Sequence, residues 1–268
     1  MDIVLLPAHN PGPLTGEGNN TYLLVWSDRS QPRASLIDAG VGHPDHLAEI
    51  DGALRARGAE LAEVLVTHAH SDHASGAGAV RRRWPSAVFR KIPWPERDGT
   101  YGRDWRALED GSLVADGSLV TIHTPGHAPD HACFWDPRTR VLFSADLVIK
   151  GTTVVIPASH GGSLTAYLES LNRVLRLDPE RLLPAHGPAI DRPRSLIEEY
   201  LEHRALREQQ ILNAVASGCD TLDGILDAVY PGLSDDLRPV ARESALAHLQ
   251  KLESDGRLRI GDEAILLL

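Results

Sequence analysis

A short run of metal-binding side chains stands out in the first third of the chain, His-Ala-His-Ser-Asp-His at residues 68–73. In an extended loop alternate side chains point the same way, so His68 and His70 can bind one metal ion from one side. Asp72 and His73 then face a second metal position. Zinc, manganese and iron all accept imidazole and carboxylate ligands, and zinc is the metal we expect.

One loop cannot enclose a metal ion, so the remaining ligands must come from the ends of other strands. Three candidates stand in turn-like settings after apolar segments: His127 in TPGH, Asp146 in FSAD and His186 in PAHG. A single histidine is usually an ordinary surface or core residue. Five histidines at loop positions after apolar strands instead predict a metal centre.

The apolar pattern predicts alternating strands and helices around these loops. Residues 91–111, rich in proline, glycine and aromatic residues, are predicted to form an ordered surface loop. A helix over residues 164–177 has Ser163 as its expected N-cap. The other elements expected up to residue 193 are strands at 22–26, 34–37, 63–67, 118–124, 132–135 and 141–144, and a helix at 46–58.

The pattern becomes helical beyond Pro193, where we place a domain boundary. Helices are predicted at 195–216, 222–229 and 235–255, followed by a hairpin around Gly261, which is the element order of a winged-helix domain. The last helix has an apolar face that includes Leu237, and Gly256 suits a left-handed C-terminal position. The predicted domains are therefore residues 1–193 and 194–268.

Composition limits the classes of function. The chain has 268 residues, 42% of them hydrophobic and 24% charged, which is ordinary globular usage. Its net charge is −10, and residues 194–268 carry 8 basic against 14 acidic residues, which argues against a nucleic-acid partner. No apolar run approaches the ~20 residues of a membrane span and no signal peptide is evident, so no membrane partner and a cytoplasmic location are expected. The two cysteines make no disulfide framework.

The ordered set of His-x-His-x-Asp-His followed by separated His, Asp and His resembles the metallo-β-lactamase superfamily. Further segments are similar to the β-lactamase-like protein 2 branch, whose animal members are mitochondrial endoribonucleases: HNPGPLTGEGNNTYLL, LIDAG, TPGHAPDH, KGTTVV, LPAHGP and EHRALREQQIL. The resemblance covers nearly the whole chain. It implies an α/β fold, a four-layer αββα sandwich followed by a small winged-helix domain.

The resemblance also implies a role for each ligand in a dinuclear site, most readily with two Zn²⁺ ions. Asp146 would bridge the metals, Asp72 would also relay a proton, and His131 would donate a hydrogen bond to a substrate oxygen. Two metals about 3.5–4 Å apart can share a hydroxide that is nucleophilic at neutral pH. The implied ligands are His68, His70 and His127 for the first metal, and Asp72, His73 and His186 for the second.

Other polar residues near these motifs have weaker assignments. Asp38, in LIDAG, would support the metal loop or would simply be a turn carboxylate. Ala145 stands where the superfamily commonly has glycine, so the backbone beside Asp146 is expected to differ there. Loop polarity alone is the preferred explanation for His9, Asn10, Asn19, Asn20 and His160, and a solvated loop explains Lys150, Thr152 and Thr153 as well as an anion contact does.

Three functions remain open from the sequence. The first is a dinuclear metal hydrolase acting on an ester, thioester, lactone or phosphodiester. The second is a single-stranded RNA endoribonuclease, which the acidic C-terminal domain disfavours, although Arg204 and Arg207 on one helix could guide RNA if they do not simply face water. The third is a mononuclear iron persulfide oxygenase or a non-catalytic scaffold, which the intact ligand set disfavours. The oligomeric state is left open.

Overall fold

The computed structural model of the chain describes residues 1–13, 15–28, 31–102, 104–261 and 264–268. The chain divides into two compact units, each built from several segments. The first unit comprises Met1–Thr124, Asp130–Thr152 and Asp178–Pro193. The second unit comprises Pro125–Pro129, Thr153–Leu177 and Arg194–Leu268.

The first unit contains two six-stranded sheets. In the first sheet the strands lie side by side in chain order, with antiparallel pairing from β1 to β3 and parallel pairing from β3 to β6. Its strands are β1 Asp2–Pro7, β2 Asn20–Asp28, β3 Gln31–Ile37, β4 Glu60–Leu65, β5 Val88–Lys91 and β6 Arg106–Ala107. The strands of the second sheet are β7 Leu113–Val114, β8 Leu119–His123, β9 Ala132–Asp136, β10 Val141–Ala145, β11 Arg181–Pro184 and β12 Ile190–Asp191.

The alternation of side chains along β2 explains how this unit is layered. Tyr22 and Leu24 belong to a core that also contains Phe134 and Phe143 of the second sheet. Leu23 lies on the opposite face, in a core shared with three helices, α1 Pro44–Arg57, α2 Ser71–Ala74 and α3 Ala77–Arg83. The first unit also contains α4 Pro95–Asp98.

The segment 91–111, predicted to be a surface loop, is partly a buried structural element. It contains α4 and β6, and the side chain of Lys91 is only 1% exposed. Its ammonium group lies 3.0 Å from Asp130 Oδ2, and Asp130 is fully buried. This ion pair, together with a second one to Asp98 on α4, explains why a lysine is tolerated at this depth. The sequence pattern could not reveal a partner so far away along the chain.

The second unit is helical and ends in a two-stranded hairpin. Ile211, Ile225, Leu249 and Leu258 share its main core, and Gly256 takes the predicted left-handed conformation at φ 68°. The prediction that Leu237 lies on the buried face of the last helix is wrong, because the helix begins at Arg238, three residues after the predicted start, and Leu237 is 55% exposed. The elements are α5 Leu164–Leu177, α6 Arg194–Ala216, α7 Leu222–Val229, α8 Arg238–Ser254, β13 Leu258–Ile260 and β14 Ile265–Leu267.

The two units share with the predicted domains only the break between Pro193 and Arg194. Residues 153–177, assigned from the sequence to the first domain, belong to the second unit, where α5 contacts α6 and α8. Ser163 caps α5 as expected, since its hydroxyl accepts a hydrogen bond from Ala166 N at 3.3 Å. The division into domains at residue 193 stays a prediction from the sequence.

A buried histidine on α1 should make the stability of the first unit sensitive to acid. His46 is fully buried, hydrogen bonds to Thr21 Oγ1 at 2.8 Å through Nε2, and has no described partner for Nδ1. Burial, then the neighbouring His9 and His43, lowers the pKa of His46 to about 4. Because the unfolded chain binds this proton more readily, stability is full above pH ~6.5 and falls as the pH drops towards 4.

We therefore expect the free energy of unfolding of the wild type to fall by about 2 kcal/mol more than that of His46→Gln between pH 7.5 and pH 5.0. Urea unfolding of the metal-free proteins at both pH values measures this difference. His160→Gln, which alters an exposed histidine, serves as the control and should follow the wild type. Equal losses in all three proteins would contradict the assignment.

Candidate metal centre

The loop that connects β4 to α2 carries the histidine run and is called the metal loop here. A buried carboxylate stabilises this loop through hydrogen bonds. Asp38, directly after β3, accepts hydrogen bonds from Thr67 N at 2.8 Å and Thr67 Oγ1 at 3.0 Å. Its Oδ2 also accepts a bond from His73 Nδ1 at 2.8 Å. These contacts orient the His73 ring so that Nε2 faces the centre, which is how a carboxylate supports a metal-ligating imidazole.

The ligand atoms of the predicted metal ligands form two groups, which have His73 in common. One ligand atom from each of His68, His73 and Asp146 lies within 4.8 Å of the others, and the same holds for Asp72, His73 and His186. His73 belongs to both groups. His186 Nε2 is 3.3 Å from Asp146 Oδ1 and 3.5 Å from Asp72 Oδ2. The structure thus brings five of the predicted ligands together.

His70 lies at the edge of this cluster. Its Nδ1 is 3.0 Å from Nε2 of His68, and the two rings stack edge to face at 4.5 Å between centroids. The alternation expected for an extended loop is confirmed here, since both rings are on the same side of the chain. His70 is also the N-cap residue of α2, with an extended backbone.

The N-terminal loop positions two ligands, which the sequence analysis did not expect. Asn19 is 1% exposed, and its Nδ2 donates to Asp72 Oδ2 at 2.9 Å. Asn20 N donates to Ala185 O at 2.7 Å, and Asn20 Nδ2 donates to Gly187 O at 2.8 Å. The two asparagines therefore orient Asp72 and hold the turn that carries His186. Explaining them by loop polarity alone was wrong.

Asp146 follows β10 at an irregular point of the sheet. The register of β10 against β11 shifts between Phe143 and Ala145, and Ala145 has φ 45°. A left-handed backbone explains the glycine common at this position, because a side chain is strained there. His131 is fully buried beneath Asp146, whose backbone N donates to His131 Nε2 at 3.2 Å.

His131 also contacts Thr124, whose Oγ1 lies 2.8 Å from Nδ1. Both ring nitrogens of His131 are therefore engaged within the first unit, and they fix the backbone that carries Asp146. Donation of a hydrogen bond from His131 to a substrate oxygen stays a prediction, and it requires one of these two contacts to break.

His127 lies in the second unit, in the segment Pro125–Pro129. Its Nδ1 donates to Val155 O at 2.7 Å, an arrangement typical of metal-ligating imidazoles. The segment is pinned to the start of α5 by Ser163 N, which donates to Gly126 O at 2.8 Å. The role of His127 as a ligand beside His68 and His70 stays a prediction from the sequence.

The charges of the cluster shift one another strongly in the metal-free protein. Burial alone would lower the pKa of His73, but the carboxylates of Asp72, Asp38 and Asp146 hold it well above its usual value. Burial likewise opposes protonation of His186, yet hydrogen bonds to Asp146 and Asp72 raise its pKa to about 9. A metal ion must displace these protons, so its binding is coupled to proton release.

The donor set fits divalent metal ions. Asp146 and three imidazoles are almost fully buried and converge there with the half-buried Asp72, and a buried carboxylate needs a cation or hydrogen-bond donors close by. His186 is 7% exposed and its Nδ1 has no described partner. Nitrogen and oxygen ligands without thiolate suit zinc, iron or manganese.

The other residues singled out from the sequence do not belong to these ligand groups. His9 Nε2 pairs with Glu49 Oε1 at 2.9 Å, and the side chain of Asn10 donates to Asn19 Oδ1 at 2.7 Å. Ser159 Oγ lies 2.9 Å from His160 Nδ1. The side chains of Lys150, Thr152 and Thr153 are exposed.

Thr67 is a member of the site that the sequence analysis missed. It joins Asp38 to the metal loop and also lies 3.0 Å from His68 Nδ1 through its hydroxyl. Its position directly before the histidine run was the only signal in the sequence. A hydroxyl between a strand and a ligand loop is too common to identify a functional residue.

Comparison with known proteins agrees with this geometry. Residues 14–186 match the metallo-β-lactamase superfamily, and residues 221–263 match the β-lactamase-associated winged helix domain. The chain is 31% identical over 253 residues to a β-lactamase-like protein 2 homolog of Caenorhabditis elegans, covering 92% of this chain and 83% of the relative. It is 29% identical over 275 residues to an atrochrysone carboxyl ACP thioesterase of Passalora fulva, covering 96% of this chain and 77% of the relative.

The fold is also found in a solved structure. A metallo-β-lactamase family protein of Thermus thermophilus aligns with a TM-score of 0.77 at 22% identity, over 99% of this chain and 98% of the other. The fold and the ligand groups define a metal-dependent hydrolase. The chain belongs to the metallo-β-lactamase superfamily. The predicted fold class, an α/β metallo-β-lactamase sandwich followed by a winged-helix domain, is confirmed.

Membrane association was not expected from the sequence. In the part of the chain that the structure describes, no helix is both long and apolar enough to cross a membrane.

Proposed function

We propose that this protein is a dinuclear, zinc-dependent hydrolase that cleaves thioesters. The observation that carries the proposal is the position of Asp146 between two imidazoles: its Oδ1 is 3.3 Å from His186 Nε2, and its Oδ2 is 3.9 Å from His68 Nε2. A carboxylate with one oxygen towards each side suits two neighbouring metal ions, with Asp72 and His73 beside His186. The sequence adds His70 and His127 as further ligands of the first ion, and a cytoplasmic location stays part of the proposal.

Bound divalent metals supply a hydroxide nucleophile at neutral pH and polarise the carbonyl under attack. The protein residues do the rest of the work. Asp38 holds His73 through Nδ1, and Asn19 donates to Oδ2 of Asp72. The other oxygen of Asp72, Oδ1, accepts no hydrogen bond among the described residues. It is therefore suited to take up the proton released by the attacking water and to pass it on.

The leaving group supports a thioester over an oxygen ester. Asp38, Thr67 and His131 already hydrogen bond within the site, so Asp72 is left as the group that could return a proton to the leaving atom. A thiol has a pKa of about 8.5, so a thiolate departs with little help from an acid. The thioesterase of Passalora fulva, similar over most of the chain, supports the same substrate class.

The charge of the C-terminal residues argues against RNA as the substrate. Residues 194–268 carry 14 acidic and 8 basic residues. A protein that binds nucleic acid through its phosphates needs a basic surface. RNA cleavage and persulfide oxygenation are therefore the alternatives that the experiment must separate from thioester hydrolysis.

Metal content and substrate preference test the proposal together. We expect elemental analysis of the purified protein to give close to two zinc ions per chain. We also expect kcat/KM for an N-acetylcysteamine thioester to exceed that for the oxygen ester of the same acid by at least about tenfold, because the thiolate is the better leaving group. Chelation should abolish the activity, and zinc should restore it.

Variants and competing substrates complete the test. His70→Ala and His127→Ala should each lower both metal content and activity, whereas Arg242→Gln, an exposed change far along the chain, should lower neither. The panel also contains single-stranded RNA, bis(p-nitrophenyl) phosphate and a glutathione persulfide. Cleavage of RNA without thioester hydrolysis, or one tightly bound iron with persulfide oxidation, would reject the proposal.

A further inference from the structure

Arg204, on α6, is a buried arginine that meets no carboxylate among the described residues. The residue is only 3% exposed, which corrects the assignment of its helix surface to solvent. Its guanidinium donates to Val154 O and lies 5.5 Å from the centroid of the Tyr167 ring. Its Nε is buried without a partner in the described part of the chain. A buried cation without a counter-charge is costly, so this position calls for an anion.

Arg207 lies three positions further along α6, on the same side of the helix. Its Nη1 donates to Val229 O at 2.9 Å and to Gln210 Oε1 at 2.9 Å. Its guanidinium lies 4.1 Å over the ring of Tyr230. Within the residues that the structure describes, Arg207 also has no ion pair. Two guanidinium groups on one helix face therefore lack an acidic partner there.

The surroundings of these arginines are electropositive. His248 on α8 is 1% exposed, and neither of its ring nitrogens has a described hydrogen-bond partner. Burial, and then the charges of Arg204 and Arg207, lower the pKa of His248 to about 3. The nearby Glu208 is already paired with Lys251 at 3.2 Å. The second unit thus contains a cationic cluster although residues 194–268 are acidic as a whole.

The cluster is connected to a predicted metal ligand within the second unit. Arg204 bonds to Val154 O, and the next carbonyl, Val155 O, accepts the hydrogen bond from His127 Nδ1. One short segment therefore contacts the buried arginine and the imidazole on consecutive residues. An anion bound at Arg204 would lie close along the chain to the group that orients His127.

We propose that Arg204 and Arg207 bind an anionic group of the thioester substrate, a phosphate of its carrier or a carboxylate of its acyl part. This inference rests on the proposed thioester hydrolase function and narrows its substrate class. The planar guanidinium group is suited to both anions, because its parallel N–H donors match two oxygens of a phosphate or a carboxylate. The same anion would supply the missing counter-charge.

Three thioesters separate the two sources of the anion. Acetyl-coenzyme A carries phosphates on the carrier, the succinyl monothioester of N-acetylcysteamine carries a carboxylate on the acyl part, and acetyl-N-acetylcysteamine carries neither. We expect the wild type to prefer one anionic substrate over the uncharged one. In Arg204→Gln, kcat/KM for the preferred anionic thioester divided by kcat/KM for the uncharged thioester should fall at least tenfold. The fall should come mainly from a higher KM for the anionic thioester, and Arg204→Lys should retain part of the preference.

Arg242→Gln is the matched control, because it removes the same charge from an exposed guanidinium that pairs with Asp223 at 2.8 Å. Its ratio should equal that of the wild type. Calorimetric titration of the metal-loaded proteins with inorganic phosphate gives a readout without catalysis. Phosphate bound at the metal centre contributes to all proteins alike, so heat lost only in Arg204→Gln reports the arginine site.

Unchanged ratios together with unchanged phosphate binding in Arg204→Gln would overturn the inference. If no thioester is hydrolysed but phosphate binding still depends on Arg204, the anion site stands and the proposed reaction fails. A Tm measurement on each variant shows that the proteins compared are folded.

Discussion

Replacement of Asp146 by asparagine is expected to lower kcat/KM for hydrolysis at least about a thousandfold while the protein remains folded. The substitution keeps the shape of the side chain and removes only its charge. Asp146 is 7% exposed and lies near three imidazoles, with His186 Nε2 at 3.3 Å, His73 Nε2 at 3.5 Å and His68 Nε2 at 3.9 Å. An amide cannot supply the negative oxygen that a divalent ion requires at this position.

The measurement combines steady-state kinetics with elemental analysis of the same preparation. Asp146→Asn should bind less metal than the wild type, and its remaining activity should not be restored by added zinc. Asp191→Asn is the control, because Asp191 is an exposed carboxylate on β12, next to the strand that leads to His186, and it pairs with Arg181. Full activity in Asp146→Asn would show that the chemistry occurs elsewhere.

The ligand set could be predicted from the sequence because each ligand stands in a short motif directly after a strand. Each ligand follows an apolar strand, and the ligand-bearing ends of β4 in the first sheet and of β10 and β11 in the second sheet lie together, so short motifs at several strand ends indicate one site. His68, His70 and Asp72 follow β4, Asp146 follows β10, and His186 follows β11. A metal centre whose ligands follow strand ends therefore produces a pattern that can be recognised in the amino-acid sequence.

The supporting contacts could not be predicted, because they join residues far apart in the chain. Asn19 donates a hydrogen bond to Asp72, although the two residues are 53 positions apart in the sequence and do not belong to one motif. Asp130 and Lys91 form their ion pair between a loop and a strand end. Such pairs depend on how the elements pack, and a polar residue in a loop looks the same with or without a buried partner.

The helical unit shows the same limit on a larger scale. Amphipathic spacing located α6 to within one residue, yet it assigned Arg204 to a face open to solvent. A helix with a polar residue every third or fourth position resembles a surface helix whether water or another protein segment covers it. Burial of a charge can be recognised only when the neighbouring α5 and the segment 153–156 are in place.

Gly76 should be the glycine least tolerant of substitution in the first unit, since it packs directly against the backbone that supports the metal loop. A Cβ added there would lie 2.2 Å from Ala39 O and 2.5 Å from Gly42 N. Gly76 N also donates to Gly40 O at 2.9 Å, and Ala39 N donates to His73 O at 2.9 Å. The glycine thus joins the turn after β3 to the short helix that carries His73.

We expect Gly76→Ala to lower the free energy of unfolding by about 3 kcal/mol or more, because the obstructing atoms are backbone and cannot rotate away. The loss should also appear in metal affinity, since separating the turn from α2 displaces Asp38 from His73. Gly52→Ala on α1 is the matched control: no atom lies within 4 Å of its added Cβ, and a helix interior should gain about 0.5–1 kcal/mol. Urea unfolding of both variants, with zinc titration of each, compares the two effects. A Gly76→Ala protein as stable as the wild type would mean that the turn and α2 can separate without cost, and the support of His73 by this contact would then have to be abandoned.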